Sequence, residues 1–353
     1  MRYNRFVKFW LLTGLFMLFM QIVIGGITRL TGSGLSITEW EIITGTLPPL
    51  SDASWEEAFN QYKKTPQYTK INLDMEMGSI FTAGSFKFIY FWEYIHRFWA
   101  RLMGFVFLFP CLLFIAFKWV DKPLLKRLLV VIVLAALAAS FGWIMVASGL
   151  IERPWVNAYK LALHLCIGIS VFAMMLWTCF YAFKVKKIMV SKKLERSFFY
   201  FTVLVCIQIF FGGVMSGMKA GLLYPTWPDM NGEFIPQIVF NIDQYSVENF
   251  NYYDKNALLP SLIQIIHRTV AYVLIISGLY IFILQLNTLK STSKVGWSYL
   301  FITLLITQVV LGIYTLINCK GSIPVGLGSM HQTLAVVLLG VCLFHNYSFK
   351  RQL

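Results

Sequence analysis

The stretch QIVIGGITRLTGSGL (residues 21–35) returns later in the chain as QIFFGGVMSGMKAGL (208–222). Two further pairs follow in the same order, and each pair centres on a histidine: EYIHR (93–97) with QIIHR (264–268), and ALHLCIGISV (162–171) with SMHQTLAVVL (329–338). An ordered set of matches at a similar offset indicates an internal repeat. The chain is therefore predicted to consist of two related halves.

The composition predicts a membrane protein. Of the 353 residues, 58% are hydrophobic and only 13% are charged, and the mean hydropathy is +0.67. A membrane-spanning helix needs roughly 20 predominantly apolar residues, and the continuity of these runs, without period-2 alternation, argues against a β-barrel. Eight such runs are present, at about 8–27, 89–117, 124–147, 158–183, 196–217, 259–285, 296–317 and 324–346. The predicted fold class is an all-α polytopic membrane protein with eight transmembrane helices.

The formal net charge of +14 predicts orientation rather than nucleic-acid binding. Basic residues gather at both termini and in alternate short connections, a distribution that places those segments in the cytoplasm. They are Arg2, Arg5, Lys8, Lys118, Lys122, Lys126, Arg127, Lys184, Lys186, Lys187, Lys192, Lys193, Arg196, Lys290, Lys294, Lys350 and Arg351. The first apolar run is too long for a signal peptide. With no Arg/Ser-rich transit segment, the sequence favours a bacterial inner membrane.

Each predicted half contains four helices, and an even number of spans returns the chain to its starting side. The halves are therefore expected to be parallel repeats about an axis along the membrane normal. The predicted domains are 1–186, with an outer loop at 28–88, and 187–353, with an outer loop at 218–258. In the first loop, Trp55, Phe59 and Tyr62 recur at helical spacing. They predict a short amphipathic helix that lies on the membrane surface, with a partly ordered loop packed on top of the bundle as the open alternative.

Four of the five histidines occupy matching places, near the outer ends of even-numbered spans: His96, His164, His267 and His331. A lone intramembrane histidine could serve as a helix–helix hydrogen bond, but two repeated pairs indicate function. His345 has no counterpart in the repeat and is expected to be structural or interfacial. Zinc usually takes three or four protein ligands, whereas haem iron needs only axial ligands from facing helices. Each half is therefore expected to hold one haem.

The residues around the first histidine of each pair differ between the halves. Arg97 and Arg268 are candidate partners for haem propionates, although a purely structural cation is an open alternative. Glu93 precedes His96 by one turn, and Gln264 replaces it in the second half. A carboxylate in apolar surroundings can exchange protons near neutrality, whereas an amide cannot. We expect Glu93 either to lie over the haem edge or to orient His96 through a hydrogen bond, and to support proton-coupled chemistry in the first half only.

The ordered motifs resemble the heme A synthase family. They are TRLTGSGLSITEW and TGTLPPL in the first outer loop, WEYIHR, GWIMVASGL, and YPTWPDMNG in the second outer loop, together with the four histidines. This resemblance covers nearly the whole chain. It implies oxidation of a methyl group of haem O to the formyl group of haem A by successive hydroxylations, for terminal oxidase assembly.

The resemblance also implies roles for individual residues. His96 and His164 would hold the substrate haem O, Glu93 would be the catalytic acid/base, and His267 and His331 would ligate a resident haem b. The implied partners are a haem O synthase (a farnesyltransferase) and terminal oxidase assembly factors, with a homo-oligomer as a further option. Some family members carry a cysteine pair in the first outer loop, which this chain lacks.

Two other functions would also use membrane-embedded histidines. A dihaem b-type cytochrome that only transfers electrons would use all four of them, but it gives no role to Glu93. An ion or metal transporter built from repeats would favour broken helices with sites near the midplane, whereas these histidines lie in uninterrupted runs near one end.

Overall fold

The structure, a computed structural model, describes residues 3–38, 47–78, 81–151, 153–289 and 295–351. In this part of the chain, eight helices are long and apolar enough to cross a membrane. They are α1 (Arg5–Leu30), α4 (Ala83–Ala116), α5 (Lys122–Ala147), α6 (Ala158–Ala182), α7 (Lys192–Gly217), α9 (Leu258–Leu289), α10 (Val295–Ile317) and α11 (Val325–Ser348). The predicted eight-helix membrane fold is confirmed.

Shorter elements lie between the long helices. They are the helices α2 (Asp52–Tyr62), α3 (Leu73–Met77) and α8 (Val247–Asn251), the π-turn Tyr68–Asn72, the 3₁₀ turns Ala220–Leu222, Gln237–Phe240 and Ile242–Gln244, and the strands β1 (Ile188–Val190) and β2 (Phe349–Arg351). β1 and β2 pair in parallel.

Several predicted features lie outside the described residues. Residues 39–46 belong to the first outer loop and carry parts of both of its motifs. The basic residues Arg2, Lys290 and Lys294 and the side chain of Arg351 are also outside the described part.

Polar side chains fix where the long helices begin. Ser191 caps α7 by accepting a hydrogen bond from the Leu194 amide, and Asp121 caps α5 in the same way. At α4, Thr82 and Ser85 form a reciprocal capping box. This box starts α4 at Ala83, a turn and a half before the apolar run begins. The first residue of a helix is set by its capping residues rather than by hydropathy.

The chain divides into two compact units, Met1–Met175 and Leu176–Leu353. In the second unit α7 packs on α9, α9 on α10, α10 on α11 and α11 back on α7, which closes a four-helix bundle. Leu305 fits so closely against Gly278 that a Cβ there would lie 2.1 Å from the leucine Cδ2 atom. In the first unit α1 packs along α4. The domain boundary near residue 186 and the repeat symmetry remain predictions.

The first outer loop packs its aromatic face on α4. The Phe59 ring lies 4.9 Å from that of Phe86, and the Trp55 ring lies 5.1 Å from that of Tyr90. Tyr62 is fully buried in the same cluster. The predicted helix is therefore present as α2, and its aromatic face packs on α4, as in the alternative of a loop on top of the bundle.

Candidate functional site

Each of the four repeated histidines faces a glycine of the preceding long helix. A Cβ atom built on the glycine would lie 2.8 to 3.1 Å from the imidazole Cε1 atom, closer than side chains normally pack. The pairs are Gly25 with His96, Gly142 with His164, Gly212 with His267, and Gly312 with His331. The absence of a side chain is what lets each imidazole lie directly on the neighbouring backbone.

Three of these imidazoles are also held by a glutamine one turn before the glycine. Gln21 Nε2 lies 3.1 Å from His96 Nδ1 and donates to the His96 carbonyl. Gln308 Nε2 lies 3.1 Å from His331 Nδ1 and donates to its carbonyl at 3.0 Å. Gln208 Nε2 lies 3.3 Å from His267 Nε2 and donates to the His267 carbonyl at 3.0 Å. An amide that binds both ring and backbone restricts rotation of the imidazole.

The fourth imidazole lacks such a glutamine. Ala138 occupies the position one turn before Gly142, and the His164 ring lies within hydrogen-bonding range of the Ala138 backbone. Within the described residues, the Nδ1 atom of His164 is buried without a hydrogen-bond partner.

The histidines are paired within each unit. His96 lies near His164, and His267 lies near His331. The described residues contain no cluster of three or more His, Cys, Asp or Glu side chains that could hold a metal ion. Two imidazoles per unit, with buried ring nitrogens free on His164 and His267, form a donor set that fits an iron porphyrin, because the macrocycle supplies the other ligands.

Glu93 is buried beneath the first outer loop, with 2% of its surface exposed. Its Oε2 atom accepts hydrogen bonds from the Ser36 amide and hydroxyl, both at 2.7 Å, and from the Ile37 amide at 2.9 Å. Its Oε1 atom forms an ion pair with Arg97, which also donates to the Ile37 carbonyl at 3.0 Å. Glu93 and Arg97 therefore hold the loop segment that follows α1, and the hydrogen bond from Glu93 to His96 that the sequence analysis considered is not formed among the described residues.

Gln264 and Arg268 hold the second outer loop through its carbonyl groups. Gln264 donates to the Tyr224 carbonyl at 2.9 Å. Arg268 donates to the Thr226 and Asp229 carbonyls, both at 2.7 Å, and more weakly to Tyr224 and Pro228. Glu93 thus accepts hydrogen bonds from N–H groups of the first outer loop, whereas Gln264 donates to a C=O group of the second outer loop.

His345 lies apart from the paired histidines. Its ring stacks on Phe198 at 4.5 Å, packs against Phe349 and Phe301, and is 1% exposed. These contacts fit the structural role expected for it.

Comparison with known proteins identifies the family. A family model described as cytochrome oxidase assembly protein matches residues 8–343. The heme A synthase of Flavobacterium johnsoniae is 40% identical over 95% of this chain and 95% of its own length. Those of Flavobacterium psychrophilum and Nitrosospira multiformis are each 36% identical, over 99% and 98% of this chain and 100% and 94% of theirs.

The chain belongs to the heme A synthase family. The structure places two of the motifs that carry this resemblance around the ExxHR and QxxHR segments: Ser36 and Ile37 bind Glu93, and the YPTWPD segment surrounds Arg268.

The sequence prediction missed the glutamine and glycine partners of the histidines. Their signal was present in the aligned copies, because QIVIG (21–25) and QIFFG (208–212) share a QxxxG spacing, and QVVLG (308–312) repeats it. The loop partners of Glu93 carry no such signal.

Proposed function

We propose that this protein is a heme A synthase that oxidises a methyl group of haem O to a formyl group by successive hydroxylations. The observation that carries the proposal is the full-length similarity to heme A synthases, joined to a difference between the units. A buried carboxylate, Glu93, lies one turn from a paired histidine in the first unit, and an amide, Gln264, takes its place in the second.

In this proposal the two units hold different porphyrins. His96 and His164 bind the substrate haem O, and His267 and His331 bind a resident haem b. Bound haem b supplies one-electron chemistry. The glycines bring each imidazole against its neighbouring helix, and Gln208 and Gln308 fix the second pair, so the resident site is rigid on both sides.

The protein's own contribution to the oxidation is to handle protons. Oxidation of a methyl to a formyl group with oxygen from water releases protons and electrons in equal number, and an external electron acceptor takes up the electrons. In this proposal Glu93 accepts such protons when one of its present donors is released, and the Arg97 guanidinium holds the carboxylate in position. Arg97 and Arg268 now bind loop atoms, and a role toward haem propionates would need them to exchange those partners.

The proposal extends to the setting of the enzyme. A bacterial inner membrane with both porphyrin sites toward the outer face follows from the charge distribution. A farnesyltransferase would supply haem O, and terminal oxidase assembly would consume haem A.

Chromatography of extracted haem tests the proposal. Protein expressed with a source of haem O should yield haem B together with haem A, while the Glu93→Gln variant should yield haem B and unreacted haem O. The variant keeps the size of the side chain but loses charge-assisted hydrogen bonds worth roughly 1.5–3 kcal/mol each.

The Soret absorbance serves as the control, since Glu93→Gln should retain haem in both units. Haem B alone in the parent protein would support an electron-transfer cytochrome instead. Haem A formation by Glu93→Gln at the parent rate would remove Glu93 from the mechanism.

A further inference from the structure

The glutamine that supports three histidines is replaced by alanine at the fourth. Gln21, Gln208 and Gln308 each precede by four residues the glycine that faces a histidine, and Ala138 stands at the same spacing before Gly142. Ala138 lies in the unit proposed to bind substrate. The missing glutamine therefore distinguishes the site that must exchange its porphyrin from the site that keeps it.

The supporting glutamine acts on ring orientation. In each of the three cases its Nε2 atom donates to the backbone carbonyl of the histidine and also contacts the ring. Partners that orient a metal-ligating histidine typically change metal affinity by about 10- to 100-fold. The His164 ring lies near the Ala138 backbone, as the His267 and His331 rings lie near the backbone of Gln208 and Gln308. An alanine methyl group can make neither of the side-chain contacts, so the His164 ring keeps more rotational freedom.

We propose that His164 is the exchangeable ligand of the substrate porphyrin, and that Ala138 is the positioning residue that makes it so. His96, held by Gln21, is the fixed ligand of that site. Gln208 and Gln308 retain the porphyrin of the second unit. This inference rests on the proposed function, because it assigns substrate to the first unit.

Haem dissociation tests the inference without measuring activity. The full-length protein, loaded with haemin and purified in detergent, is mixed with excess apomyoglobin, and the transfer of haem is followed in the Soret band. The kinetic phase of haem transfer that is absent in the His267→Ala variant is assigned to the second unit. Ala138→Gln should slow loss from the first unit about 10-fold, and Gln308→Ala should speed loss from the second by a similar factor.

Each outcome bears on the inference. An unchanged first-unit rate in Ala138→Gln, with the absorbance of the second unit intact as the folding control, overturns it. If Ala138→Gln does not fold, Gln21→Ala decides: faster loss from the first unit supports the inference, and an unchanged rate contradicts it. If the parent protein binds haemin in the second unit alone, the same transfer is measured after loading with haem O, and a first unit that binds neither porphyrin would contradict the proposed function.

Discussion

At the scale of single residues, each of the four histidine sites depends on a glycine, which has no Cβ atom. Each imidazole lies where the Cβ atom of any other residue would press on its Cε1 atom. These are core contacts between neighbouring helices, so a methyl group can be accommodated only if the ring or the helix moves. Because the ring is also the proposed iron ligand, that movement should alter haem binding.

Gly312→Ala should weaken haem retention in the second unit by roughly 10-fold, since the added methyl group displaces an axial ligand. Its Cβ would lie 2.8 Å from His331 Cε1. Gly326→Ala, on the helix that carries His331, is the matched control, because nothing lies within 4 Å of its added Cβ. Haem transfer to apomyoglobin measures both variants. Equal rates would show that the glycine contact does not position the ring.

Single residues also mark where prediction from sequence succeeds. The histidines were identifiable because a repeat places them twice at matching positions of apolar runs. Glu93 stood out for the same reason, but its partners Ser36 and Ile37 did not. Those two residues lie in an irregular loop far from Glu93 in sequence, and no periodicity encodes a contact between a loop and a helix.

At the scale of elements, the first outer loop is stabilised by aromatic packing on α4. Tyr62 is fully buried in this packing, and its hydroxyl accepts a hydrogen bond from Asn72 Nδ2 at 2.7 Å. Burial raises the pKa of the Tyr62 phenol well above its usual value, against a smaller lowering by the Asn72 hydrogen bond.

The raised pKa of Tyr62 predicts loss of stability in alkali. The unfolded chain releases the phenol proton near pH 10, whereas the folded chain keeps it. The contribution is therefore complete below about pH 10 and falls as pH rises further. Thermal unfolding between about pH 9 and pH 11 should show this loss in the parent and a smaller loss in Tyr62→Phe. An identical slope in both proteins would exclude Tyr62 as the source.

The long helices were predicted more accurately than the loops. Apolar runs identified all eight, and the ends of α5, α6 and α10 agree within about two residues. The start of α4 was missed, because its first turn is polar and is fixed by the capping box of Thr82 and Ser85. For α2, the helical spacing of Trp55, Phe59 and Tyr62 predicted an apolar face but not what that face contacts, since membrane and protein offer the same apolar contact.

At the scale of the whole molecule, the basic residues predict which connections face the cytoplasm. Lys193, in the first turn of α7, and Lys320, after α10, are both exposed and should lie on opposite sides of the membrane. Lys320→Cys should react with a membrane-impermeant maleimide in intact cells, and Lys193→Cys only after permeabilisation. The reverse pattern would invert the predicted orientation.

The native Cys319 should not interfere with that experiment. It neighbours Lys320 but is 4% exposed, its thiol donates to the Thr315 carbonyl, and burial raises its pKa. Because the thiolate is the reactive form, Cys319 should be labelled only after denaturation. Labelling in the folded parent would show that the turn after α10 opens in solution.

The haem content of histidine variants tests most directly whether each unit binds one iron porphyrin between its paired imidazoles. The purified parent should carry one haem per unit by pyridine haemochrome. His96→Ala or His164→Ala should reduce only the signal of the first unit, and His267→Ala or His331→Ala only that of the second. If all four variants keep the haem content and the Soret spectrum of the parent, these histidines are not the ligands and both proposed sites are wrong.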